Sequence, residues 1–102
     1  MSDYKVSESI RQFFGGNFHQ DWDLTAGDWQ GVVDSYAAGG DAVDLDALAR
    51  EIDAMREAYA EEELKILMPR EALSAYNPRP QTYSEWLGRV SERLRQHAER
   101  RR

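Results

Sequence analysis

Cysteine is absent from this chain of 102 residues, which excludes a disulfide framework and a thiolate metal site and fits a reducing compartment. Long apolar runs are missing as well. No stretch approaches the roughly eighteen apolar residues of a membrane-crossing helix. Met1 to Val6 carries neither a basic start nor an apolar segment of the signal-peptide kind. A cytoplasmic protein without a membrane partner is the expectation. Strand-type alternation is lacking throughout, and there is no internal repeat or low-complexity tract. The chemistry-bearing motifs are missing too: no nucleophile elbow, no phosphate loop, no zinc helix motif and no acid pair with a separate base. The chain therefore reads as a non-enzyme that needs no cofactor.

What is present is aromatic and acidic. Phe13, Phe14, Phe18 and Trp22 place four rings in ten residues, split by Gly15 and Gly16. That is more apolar bulk than a surface loop leaves in water, so the segment must fold inward. The glycine pair predicts the end of a short helix at Phe14, with Phe18 and Trp22 returning to the same core.

Helical periodicity accounts for most of the remaining chain. Val6, Ile10, Phe13 and Phe14 share one face after Ser7, a candidate N-cap. Asp28 stands where an N-cap belongs before Trp29, Val32, Val33 and Tyr36, a second stripe that Gly39 and Gly40 close. Asp44 is the expected opening of the third helix, in which Leu45, Leu48, Ile52, Met55 and Tyr59 repeat at threes and fours. Glu61, Glu62 and Glu63 suit the amide end of a further helix with Leu64, Leu67 and Met68 inward. Pro69, Pro78 and Pro80 then bracket a weakly periodic segment pinned by Leu73 and Tyr76, and each proline disfavours helical geometry in the residue before it. Thr82 and Glu85 form a capping box ahead of Tyr83, Trp86, Leu87, Val90 and Leu94. The expected fold is an all-α, compact single-domain bundle of about four to six helices spanning residues 1–102.

Charge is unevenly distributed. Residues 1–63 hold 15 acids and 4 bases, a net of −11, whereas residues 64–102 hold 4 acids and 9 bases, a net of +5, together giving −6. Phosphate backbones would be repelled by the larger part, so direct nucleic-acid binding is not expected and a basic protein partner is. Arg100, Arg101 and Arg102 read as helix-dipole partners and a solubilising tail. Two acidic groups invite a metal reading. His19, Asp21 and Asp23 alternate in a loop but have no further ligand motif. Asp41, Asp44 and Asp46 lack the glycine and the glutamate of a calcium loop. Capping of backbone amides explains both sets better, and no metal is expected.

The run from Phe13 to Trp22, with Asp23, Leu24, Gly27, Asp28, Trp29, Val32 and Val33, resembles the opening of a family of immunity proteins from bacterial contact-dependent growth inhibition systems. Thr82, Tyr83, Ser84, Glu85, Trp86 and Leu87 are similar to that family's closing helix. Asn17 departs from the pattern, where an aromatic residue is expected. The resemblance implies a cytoplasmic protein, monomeric alone, that binds and blocks one cognate toxin domain in a one-to-one complex. Toxins of this kind are often nucleases with basic clefts, which carboxylates can occupy in place of phosphates. The acidic edge of Asp21, Asp23, Asp46, Glu51, Asp53 and Glu57, with Trp22 as an apolar anchor, is the expected contact set. An acidic helical adaptor for another basic protein is the alternative, and a metal-dependent hydrolase built on His19 is a more distant one.

Overall fold

A computed structural model describes residues 6–18, 28–70 and 81–100. Among them the chain forms five helices and no strand: α1 (Glu8–Asn17), α2 (Trp29–Ala38), α3 (Ala42–Ala58), α4 (Glu61–Arg70) and α5 (Tyr83–Arg100). The architecture is an all-α bundle. The long α5 is its axis, packed chiefly along α3 and also touching α2 and α4, while α1 rests on α3.

The core follows the helical stripes. Leu45, Leu48, Ala49, Ile52 and Met55 of α3 face Trp86, Leu87, Val90, Leu94 and Ala98 of α5, and all are buried. Rings close one end of this seam. Trp86, fully buried, has Phe18 edge-on at 5.2 Å between centroids, Phe14 at 5.6 Å and Trp29 edge-on at 6.2 Å. Phe13 stands between Phe14 and Tyr36, 4.8 Å from each. Such contacts add about 0.5–1.5 kcal/mol per pair beyond the area they bury. Trp29, Tyr36 and Tyr83 are half-buried at the edge of the core.

Three helix limits differ from the sequence expectation. α1 does not stop at the glycine pair. It continues through Gly15 and Gly16 to Asn17, with Phe18 as C-cap donating its N–H to the Phe14 carbonyl at 2.8 Å. The Asn17 amide also donates to the Phe13 carbonyl at 2.8 Å, and the full burial of Phe18 holds the extra turn against the entropic cost of two glycines. α3 opens one turn earlier than expected. Asp41 is its N-cap, accepting the Asp44 N–H at 2.8 Å, so Asp44 lies in the first turn. Both acids favour that end, and the position with a free oxygen beside the amide wins. Met68 stays helical despite Pro69, which lies inside the last described turn of α4. Leu64, Leu67 and Met68 are fully buried, and their packing holds the backbone that the proline disfavours.

Three N-terminal caps form as the sequence predicts. Ser7 Oγ accepts the Ile10 N–H at 3.2 Å, and Asp28 Oδ1 accepts the Gly31 N–H at 2.7 Å. Thr82 and Glu85 exchange two 3.0 Å bonds across the start of α5. The expected pinning by Leu73 and Tyr76, and the turns at Pro78 and Pro80, lie outside the described residues.

Candidate functional site

Four of the seven expected contact residues lie on α3. Asp46, Glu51 and Asp53 are half-buried and Glu57 is exposed. Asp21, Trp22 and Asp23 lie outside the described residues. At about 100° per residue, Asp46, Asp53 and Glu57 share one flank of the helix, whereas Glu51 stands about 140° away on the other. The acids of α3 therefore form two margins with solvent-facing helix between them.

Asp53 is engaged inside the fold. Its Oδ2 lies 2.6 Å from Arg95 Nη2 of α5, and its Oδ1 lies 3.1 Å from Arg56 Nε and accepts the hydroxyl of buried Ser91 at 2.7 Å. Burial pushes this carboxyl upward, but the bonds from Ser91, Arg95 and Arg56 outweigh it and hold Asp53 below the usual carboxylate range. The Arg56 guanidinium is brought over Gly88, where a Cβ would meet Arg56 Cζ at 3.2 Å. With no side chain at residue 88, the Arg56 guanidinium can lie against α5.

A second cluster joins α2 to α5. Arg93 donates to Asp34 through Nε at 2.8 Å and Nη2 at 2.7 Å, and His97 Nε2 lies 2.6 Å from Asp34 Oδ1. The Arg93 fork, opposed by desolvation and aided by His97, lowers the Asp34 carboxyl to about 2. The same bonds raise Arg93. Glu61 links α4 to α5 by accepting the Tyr83 N–H at 2.8 Å and the Ser84 N–H at 3.0 Å. None of these long-range pairings is legible in sequence spacing. Their only signal is the opposite net charge of the two parts of the chain, which the fold brings face to face.

Internal pairing removes Asp34, Asp53 and Glu61 from the acidic surplus, along with Arg93 and Arg95 from the basic one. Glu51 and Asp44 remain, and no hydrogen bond or ion pair engages either side chain among the described residues. Glu51 lines two neighbouring surface depressions where α1 crosses α3. One, of about 280 Å³, is walled by Val6, Ile10, Ala54, Met55, Ala58 and Tyr59. The other, of about 160 Å³, is walled by Ser9, Tyr36, Asp44, Ala47 and Leu48. Burial, then the Asp44 charge, raises the Tyr36 phenol. A polar cleft of about 200 Å³ lies elsewhere, between Trp29 and Gln30 of α2 and Arg89, Glu92 and Gln96 of α5. Sequence reasoning named Glu51, and placed Tyr59 in the α3 stripe, but missed Ala54 and Ala58, because small exposed residues carry no periodic signal of a groove.

Among the described residues no three His, Asp or Glu side chains converge to hold a metal ion, and no helix is long and apolar enough to cross a membrane. His19 lies outside them. On the described surface, the carboxylates of Asp44 and Glu51 stand beside one mainly apolar hollow on a helical frame.

No curated protein and no solved structure matches the chain. The family model described as CdiI immunity protein matches residues 7–94, a span that runs from the N-cap of α1 through most of α5. Helical frame, aromatic lock and capping box all fall within it, and the chain belongs to the CdiI immunity protein family of contact-dependent growth inhibition systems.

Proposed function

We propose that this chain neutralises a basic, nucleic-acid-cleaving C-terminal toxin domain in the cytoplasm by covering it one-to-one, without turning over a substrate. Family membership supplies the class of partner, since immunity proteins of these systems bind a cognate toxin. The observation that carries the finer reading is the acidic surplus left after internal pairing. Asp34 and Asp53 are matched by arginines, whereas among the described residues no hydrogen bond or ion pair engages the side chain of Asp44 or Glu51. Such a surface attracts a cleft built for phosphates, speeds encounter and leaves the catalytic groups covered.

The proposed contact set remains Asp21, Trp22, Asp23, Asp46, Glu51, Asp53 and Glu57, with a division of labour. Asp53 fixes Arg56 and Arg95 beneath the edge, while Glu51 and Glu57 present their charge outward. Protection inside a cell calls for a complex of nanomolar strength or better, about −12 kcal/mol. Coexpression with the toxin domain encoded beside this chain tests the reading. Survival, copurification and a one-to-one mass by light scattering are expected. Equal killing with and without the chain overturns it.

A further inference from the structure

The two depressions that share Glu51 are positioned to act together. The larger is walled almost wholly by Val6, Ile10, Ala54, Met55, Ala58 and Tyr59, and its roughly 280 Å³ is room for one large apolar side chain. The smaller has carboxylates at Asp44 and Glu51, seven residues apart on α3 and thus separated by two turns, about 10 Å. Both acids are unmatched among the described residues, in contrast to Asp34 and Asp53, each of which meets an arginine inside the fold. A hollow that takes an apolar group, beside two carboxylates without a cation, is complementary to a segment with the opposite pattern.

We infer that the α1/α3 groove is the anchor site of this immunity protein and receives a segment of the cognate toxin that places one large apolar side chain next to a lysine or arginine. The apolar group fills the hollow between Ile10, Ala54, Ala58 and Tyr59, and the cation lies between Glu51 and Asp44. This rests on the immunity reading and assigns it a location. A stable complex buries about 800 Å² per partner, so the groove is the desolvated centre of a larger contact, with Glu57 and the other acids at its polar rim.

The test uses the full chain and the purified toxin domain encoded beside it. Ala54→Trp fills the hollow from an exposed position, Glu51→Gln removes the charge, and Glu51→Lys reverses it. Glu92→Lys makes the same reversal in the cleft between α2 and α5. Ala54→Trp and Glu51→Lys are expected to weaken binding by about 30-fold or more, with Glu92→Lys within about threefold of the unmodified chain. Glu51→Gln is expected to flatten the salt dependence of binding. Circular dichroism and thermal melting of each variant separate lost contact from lost fold. If folded Ala54→Trp and Glu51→Lys both bind like the unmodified chain, the groove assignment is overturned while the immunity reading stands. Failure of the unmodified chain to bind or protect overturns both. Self-association of the chain that Ala54→Trp abolishes would give the groove to a second copy and overturn the assignment.

Discussion

Glu61 and Ser84 lie 23 residues apart in the chain, yet Ser84 donates its N–H to Glu61 Oε1 at 3.0 Å while Tyr83 donates to the other oxygen at 2.8 Å. The carboxylate of one helix start thus caps the start of another. With Glu85 Oε1 accepting the Thr82 N–H and Thr82 Oγ1 accepting the Glu85 N–H, the first amides of α5 are all satisfied. Because α5 is the axis against which α2, α3 and α4 pack, this end governs the whole bundle. Glu61→Ala is expected to destabilise the chain by about 1–2 kcal/mol, read from the urea midpoint at unchanged slope. A change below a few tenths of a kcal/mol would mean that water replaces the cap at no cost.

Asp34 provides a pH signature. Its carboxyl is held at about 2, against an ordinary 3.8, first by the Arg93 bonds. A depressed carboxyl stabilises the fold at pH values above the unfolded pKa, and the contribution is lost as pH falls from about 4 towards 2. The side chain is 39% exposed, so solvent screening reduces the contribution to about 1 kcal/mol. Asp34→Asn is expected to lower stability at pH 7 by that amount and to flatten the stability profile between pH 4 and 2. Parallel acid profiles for the two proteins would contradict the pairing.

Gly16 and Gly88, both helical, differ in surroundings. A Cβ at Gly16 meets nothing within 4 Å, whereas at Gly88 it meets Arg56 Cζ at 3.2 Å. Gly16→Ala is expected to stabilise the chain by about 0.5–1 kcal/mol through helix entropy. Gly88→Ala should gain nothing comparable, because the guanidinium held by Asp53 has to shift. Equal gains in thermal melting would show that the Arg56 contact is readily displaced.

Charge reversal separates the roles of neighbouring acids. Glu57→Lys, at an exposed position, is expected to slow association with the toxin domain at low salt by about threefold to tenfold and to leave the fold intact. Asp53→Lys strips Arg95, Arg56 and Ser91 of their shared acceptor and is expected to cost about 3 kcal/mol or more of stability before any effect on binding. Stopped-flow rates alongside denaturation midpoints distinguish them. An Asp53→Lys chain of normal stability would place that carboxylate outside the internal network.

Much of the helical frame is legible in the chain because the information is local. The stripe from Leu45 to Met55 follows from spacing alone, and the caps at Ser7, Asp28 and Thr82 from residue type at an amide end. Limits were less legible where two local preferences competed. Gly15 and Gly16 signal a stop, yet burial of Phe18 and the Asn17 side-chain bond carry α1 past them. Asp41 and Asp44 both suit an N-cap, and Pro69 opposes a turn that Leu67 and Met68 secure.

By itself, then, the sequence determined an all-helical, acid-rich polypeptide with a ring-rich core, since helix formation, capping and amphipathic burial depend on residues within a few positions of one another. Only the tertiary structure decided which charges are consumed within the fold. Asp34 meets Arg93 and His97, Asp53 meets Arg95, and Glu61 caps α5, each across a separation that no periodicity encodes. The same packing left Glu51 beside an apolar hollow between α1 and α3, because a groove belongs to two surfaces brought together, and neither helix contains it alone.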